Sequence, residues 1–326
     1  MSPTAPTFVA AVITHDNLRG LRRITATLLT RARARGFEVL VVDSGATPET
    51  KAWLRDQAGA IKVLSLPSNR GPAAARNAVL SARPRADVIV YFDDDVILEG
   101  HEIERFIDVL AAEPRVALVS GIPTDPTGRP LAPSFSRRPL QPAFAGLWGR
   151  WWSGPPYAGV GQLLAVDAVG ASAIAVRPQA AREVGGFDET FAPIGFEDLD
   201  FCAKLRFAGH GIAVIPDLQI RQEVSVTARK LFGAEYPGLR RSNGVMYAAM
   251  DYPIPFAAGR LLRAFLGALL SASASDRRGD ALGFLRCART LRTVVTARRF
   301  RRKLRSQRAH NVVRDKNRRP PFGGQR

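Results

Sequence analysis

The sequence predicts an α/β protein: a mostly parallel sheet flanked by helices, followed by a C-terminal helical extension. Three observations predict it. Short runs rich in Val and Ile alternate with amphipathic stretches through the first 120 residues, and strands covered on both faces read as such continuous apolar runs. Three of the runs end in polar chemistry: Thr14-His15-Asp16, Asp43-Ser44 and Asp93-Asp94-Asp95. The charge is also lopsided. Of a net +18, residues 286–326 carry 15 Lys/Arg against one acid, Asp315, which leaves only +4 for residues 1–285.

Strands are expected at 8–14, 38–43, 61–66, 88–92 and 116–120. Helices are expected between them, at 17–35, 48–58, 72–82 and 102–112. The first helix places Leu18, Leu21, Ile24 and Leu28 on one face. The second has Thr47 as N-cap and Pro48 at its first position. Residues 121–165 break the rhythm. They are rich in Pro and Gly, contain Trp148, Trp151 and Trp152, and read as a long loop or flap. A strand at 171–176, a helix from Glu197 and a strand at 212–215 restore regular structure. From about 225 to 307 the chain reads as helical, and "RRPPFGGQR" as disordered. The expected division is 1–224, a basic helical extension 225–310, and a tail 311–326.

Cys202 and Cys287 match no metal or redox spacing, which fits a reducing compartment. The N-terminus has no basic leader before its apolar run, so a first strand is expected there and not a signal peptide. Residues 253–275 come nearest to a spanning helix, but Arg260 and Arg263 interrupt them. A cytoplasmic protein, peripheral at most to the membrane, is expected. Neither a GKS/GKT phosphate loop nor G-x-G-x-x-G occurs, which argues against kinases, ATPases and dehydrogenases.

Ligands of open α/β sheets bind beyond the carboxyl ends of the strands, where the three polar strand ends would converge. Clustered carboxylates repel unless a cation lies among them, and a hard divalent ion, Mg²⁺ or Mn²⁺, suits oxygen ligands. The plainer reading is a solvated acidic turn. A second acidic group, Glu197, Asp198 and Asp200, opens a helix, where acids are ordinary.

In order, "VAAVITHDN", "EVLVVDSGATPET", "LPSNRGPAAARNAVL", "VIVYFDDDVIL" and "VGGFDETFAPIGFEDLDFCAKLRFAGHGIAVIP" resemble the segments of family 2 inverting glycosyltransferases of the GT-A fold, of the rhamnosyltransferase/galactofuranosyltransferase-like branch. The resemblance covers about residues 7–220. It implies a nucleotide-sugar donor contacted by Thr14, Asp16, Asp43, Arg76, Asp93 and Asp94. It also implies a metal on Asp95 and Asp93, and Asp198 as general base, with Glu197 as second choice. The implied reaction moves one sugar to an acceptor hydroxyl with inversion. A glycan or lipid-linked acceptor of the cell envelope is expected, or else a soluble natural product or peptide. Many relatives carry a His after the last strand. Here Gln222 or Glu223 stands in its place, and His15, His101, His210 and His310 read as structural or exposed.

A processive synthase would carry Q-x-x-R-W and spanning helices, and neither is visible. A sugar nucleotidyltransferase would need a Gly-rich basic loop that "THDNLRGLRR" does not match. Segments 257–270 and 286–305 mix apolar residues with Arg. They read either as a surface for anionic membranes or as solvated helix. Nucleic-acid binding through the tail is the competing class, but no RNA-binding or zinc motif accompanies the Arg run. The tryptophans read as a packed flap core, or as a surface for sugar rings or lipid headgroups.

Overall fold

The computed structural model describes residues 7–99, 101–131, 135–136, 163–223, 232–270 and 273–314. Trp148, Trp151 and Trp152, most of the expected flap, and the end of the tail lie outside the described residues.

The first strands and helices follow the sequence expectation closely. They are β1 (Phe8–Thr14), α1 (Leu18–Arg35), β2 (Glu38–Ser44), α2 (Pro48–Asp56), β3 (Lys62–Leu66), α3 (Gly71–Ala82) and β4 (Val88–Asp93). Then come β5 (Val96–Ile97), α4 (Glu102–Ala112), β6 (Val116–Thr124), β7 (Phe135–Ser136), β8 (Leu164–Ala165), β9 (Ala168–Val169) and β10 (Ala173–Val176). The Thr47 hydroxyl accepts from Thr50 N at 3.4 Å and caps α2.

Among the described residues, β3-β2-β1-β4-β10-β6-β11-β5 form one sheet, with β8 also on β11. β11 is Gly211–Gln222. Alternate residues of β1 enter opposite layers: Val9, Ala11 and Ile13 on one face, Ala10 and Val12 on the other. One layer is closed by Leu21, Ile24 and Leu28 of α1 with Ile103, Phe106 and Leu110 of α4. The other is closed by α3, α5 (Pro178–Glu183) and α6 (Glu197–Ala208). Each fully buried side chain of this size contributes about 1.5–3 kcal/mol.

Two departures from expectation bear on function. β10 runs antiparallel to both β4 and β6. The chain leaves β6 at the carboxyl edge and re-enters the sheet from that same edge. Ser172 and Ala171 are thereby delivered to the end of β4, where Asp93 N donates to Ser172 O at 2.8 Å. β11 also continues well past the expected 212–215. Its register shifts between Val214 and Gln219, so Pro216 occupies an irregularity that a strand tolerates. The extension carries Glu223 to Asp95, whose carbonyl accepts from Glu223 N at 2.9 Å.

Among the described residues, the C-terminal region holds four α-helices: α7 (Tyr236–Asp251), α8 (Ile254–Leu270), α9 (Ala274–Arg289) and α10 (Leu291–Arg314). Pro253 and the Ser273 N-cap separate the middle ones. A third apolar cluster joins Ala203 of α6 to Val245 and Met246 of α7, Cys287 of α9 and Val294 of α10. No helix among the described residues is long and apolar enough to cross a membrane.

Much of the basic extension is internal wiring. Arg298 donates to the carbonyls of Ala249 and Tyr252. Arg286 donates to Asn243 Oδ1 and to Thr190 O. Arg301 is buried against Asp200 and Asp251. Burial alone would lower the Arg301 pKa, but Asp200 and Asp251 together raise it, so the guanidinium stays charged. Removing one partner of such a cluster strands buried charge. Arg301→Met is therefore expected to lower unfolding free energy by about 3–5 kcal/mol, measured by denaturant melts. A loss under about 1 kcal/mol would mean that the cluster behaves as a surface pair.

Candidate active site

The site forms where β1, β2 and β4 end and α6 begins. The hydroxyl of Thr14 donates to Asp94 Oδ2 at 2.6 Å, and Asn17 Nδ2 donates to Asp94 Oδ1 at 3.2 Å. Asn17 also caps α1 through Gly20 N. A Cβ on Gly20 would lie 2.2 Å from the Asp94 carbonyl, so only glycine lets α1 start this close to the acidic turn. His15 Nδ1 hydrogen bonds to Ser44 O at 2.7 Å, tying the ends of β1 and β2 together.

Asp43 is buried and accepts from Ala46 N at 2.7 Å, which orders the turn after β2. Asp16, next along from Thr14 and His15, is exposed.

Arg76 was expected beside the nucleoside. Its side chain is 2% exposed. Its guanidinium donates to Asp93 at 2.9 Å, to Glu197 at 3.3 Å and to the Ala171 carbonyl at 3.0 Å. It therefore ties α3, β4, the entry to β10 and the first turn of α6 into one unit. Phe187 lies under the guanidinium, 5.5 Å from it, and stacks on Phe201 of α6.

The carboxylates differ in environment. Burial pushes Asp93 up and Arg76 pulls it back. Burial also pushes Asp94 up, to about 6, against the hydrogen bonds from Thr14 and Asn17. Asp95 is raised most clearly, by burial and then by the charges of Asp93 and Asp94. Its Oδ1 is buried without a hydrogen-bond partner. A hard divalent cation fits this donor set: an orphaned carboxylate oxygen beside two more carboxylates. Among the described residues no three His, Cys, Asp or Glu side chains form a closed metal cage. Mg²⁺ and Mn²⁺ sites built on one or two carboxylates leave the other positions to water and phosphate. The Glu223 carboxylate, one substitute for the missing His, is instead held by Arg19 and Arg23 at 2.9 and 2.8 Å.

At the opposite wall, Glu197 and Asp198 occupy the first turn of α6. Phe196 precedes them with φ 78°, an uncommon conformation for a non-glycine residue. The segment before it is gripped by Asn243 of α7, which donates to the carbonyls of Phe191, Ile194 and Gly195. Glu197 Oε1 is engaged by Arg76. Asp198 has no ion-pair partner among the described residues; its Oδ1 accepts from Leu199 N at 2.9 Å. Gly170 lies next to this carboxylate: a Cβ there would be 3.8 Å from Asp198 Oδ2. Burial and then Glu197 push Asp198 up to about 7, against Arg76. A carboxyl raised this far exchanges its proton near neutral pH. Sequence reasoning missed Asn17, Asn243 and Ala171, whose parts depend on distant segments.

A mixed sheet flanked by helices, with acidic groups at a strand end and at a helix start, has the architecture of the GT-A fold. Residues 10–168 match Glycosyl transferase family 2. Over 307 residues it is 31% identical to the pre-mycofactocin glycosyltransferase of Mycobacterium tuberculosis, covering 89% of this chain and 56% of that protein. The chain thus spans about half the length of this curated relative. Among solved structures, TarS 1–349 of S. aureus superposes with a TM-score of 0.52 at 15% identity, covering 94% of this chain and 92% of that one. GalNAc-T7, solved with UDP, GalNAc and Mn²⁺, has a TM-score of 0.52 at 13% identity, covering 79% of this chain and 54% of that one. These likenesses are of fold.

Proposed function

We propose that the chain transfers a single sugar from a nucleoside-diphosphate sugar to an acceptor hydroxyl, by one displacement that inverts the anomeric centre. The observation that carries this reading is the Arg76 assembly, which locks Asp93 and Glu197 together and leaves Asp198 as the unpaired acid opposite. In this reading residues 1–224 bind donor and do chemistry, residues 225–310 brace α6, and residues 311–326 form a tail.

Thr14, Asp43 and Asp94 line the nucleotide end. Asp95 and Asp93 would hold Mg²⁺ or Mn²⁺, whose charge offsets that of the departing diphosphate. Asp198 accepts the proton of the acceptor hydroxyl as its oxygen attacks. Glu197 keeps Arg76 charged and in place, and so acts by positioning. By its name, the Mycobacterium relative acts on pre-mycofactocin. Acceptors of that kind are the first to test here, with lipid-linked glycans second.

The test is a melting screen against UDP, GDP, dTDP and CDP, each with and without Mn²⁺ or Mg²⁺, followed by the matching nucleotide sugar. A metal-dependent rise with one nucleotide, and release of nucleoside diphosphate from its sugar, are expected. No rise with any nucleotide would overturn the reading. Release of pyrophosphate would identify a nucleotidyltransferase instead.

The pH dependence follows from Asp198. Its carboxylate is the active form, so kcat/KM is expected to rise with pH through an apparent pKa of about 7. A profile flat between about pH 5.5 and 8.5 would remove Asp198 from the base role. The folded pKa lies above the unfolded one, so the same ionisation lowers stability as pH rises from the ordinary carboxyl value of 3.8 to about 7, and no further above it.

A further inference from the structure

We propose that α8 is an interfacial helix that seats the protein on anionic lipid bilayers, with its exposed face in the headgroup region. Its pattern is inverted relative to a helix on a water-soluble surface. Both of its charged residues turn inward: Arg260 is buried and Arg263 half-buried, while the exposed positions are all apolar. Ile254, Ala258, Leu262, Leu266 and Leu269 follow one another at spacings of three and four, with Phe265 beside them, which makes a single stripe. The exposures along it are 66% for Ile254, 59% for Leu262, 63% for Leu269 and 77% for Leu270. The stripe runs the full 17 residues of the helix, about 25 Å at 1.5 Å per residue. That is too short and too interrupted by Arg to span a bilayer, but is of a length that lies flat in its interface.

Charge chooses the occupant. α8 has no acidic residue, and neither does α10 from Leu291 to Arg314. α9 packs on α8, with Phe284 against Phe265 at 5.6 Å. Its acids Asp276 and Asp280 are both paired with Arg241. α9 exposes Leu282, Leu285 and Arg289 at helical spacing, and α10 exposes Arg292, Val295, Arg299 and Arg302 likewise. Exposed leucines accompanied by arginines, with few acids to offset them, match an apolar boundary bearing negative headgroups. A second copy of this chain would bring the same positive charge to the contact. The arginines expected from sequence to meet the membrane are partly spent inside the fold, so the apolar stripe of α8 is the principal contact. The proposal holds for either acceptor class.

The experiment is flotation of the full chain with vesicles of phosphatidylcholine alone, and of phosphatidylcholine with phosphatidylglycerol, at low and high salt. Binding to the anionic vesicles is expected, weaker on neutral ones and weaker in salt. Leu266→Glu/Leu269→Glu should reduce it at least about tenfold, with nucleotide-dependent melting unchanged as the control for folding. Arg289→Glu/Arg292→Glu should lessen the preference for anionic vesicles. The proposal is overturned if the wild type does not float with anionic vesicles, or if the leucine variant floats equally well. It is also overturned if light scattering shows a dimer that the leucine variant converts to monomer, which would make α8 a self-association surface.

Discussion

Asp198→Asn is expected to lower sugar transfer by about 10²–10⁴-fold, the range for loss of a general base, while donor binding persists. Asparagine has nearly the same shape, and its carbonyl oxygen can still accept from Leu199 N, as Asp198 Oδ1 does at 2.9 Å. The start of α6 is therefore preserved and only the proton acceptor is lost. Binding is read by the nucleotide-dependent melting shift, and transfer by glycosylated product. Glu197→Gln is the contrasting variant. It removes the charge that holds Arg76 at 3.3 Å, so its expected defect includes stability and donor handling. If Asp198→Asn transferred sugar at the wild-type rate, the base would lie elsewhere.

The second large effect is expected for Asp95→Ala, and it has two opposite signs. In the absence of metal the ionised Asp95 is unfavourable, because of burial first and then of Asp93 and Asp94. Its removal should relieve repulsion, so the metal-free variant should melt no lower than the wild type. With Mn²⁺ and the cognate nucleotide the order should reverse. Ligand at about 100 times its Kd stabilises the wild type by about 2.7 kcal/mol, and the variant should lose the metal-dependent part of that. A variant that kept the full metal-dependent shift would show that Asp95 is not a ligand. Asp94→Asn serves as comparison. Asp94 is already occupied by Thr14 and Asn17, so its effect should fall on the ordering of the α1 start.

The strands up to β6 other than the two-residue β5, and the helices between them, were legible because their signals are local. β-branched runs, caps such as Thr47, and prolines such as Pro48 act within a few residues. The acidic ends of β4 and α6 were legible for a related reason: charge adjoining apolar sequence marks where a buried element meets a site. Less legible was what each acid touches. Arg76 lies between residues 17 and 121 positions away in the chain, Asp93 and Glu197. Nothing in an N-x-G-x-x-x-A-R-N run distinguishes an arginine that faces ligand from one that is buried among carboxylates. The extent of β11 was obscured by Pro216, which reads locally as a stop.

The sequence by itself determined the layered α/β class, the order of its first elements, and the places where acidic groups adjoin buried elements. All of these follow from periodicity, turn residues and the cost of burying charge without a partner. The tertiary structure alone decided three things. The antiparallel insertion of β10 brings Ala171 to Arg76 and Gly170 to Asp198. The packing of α7 and α10 on α6 separates the arginines that brace the site from those that face out. The sidedness of α8 turns its two arginines inward and its leucines outward. Each rests on contacts between segments far apart in the chain, whose pairing is set by competition among all the apolar faces at once and leaves no mark within any one segment.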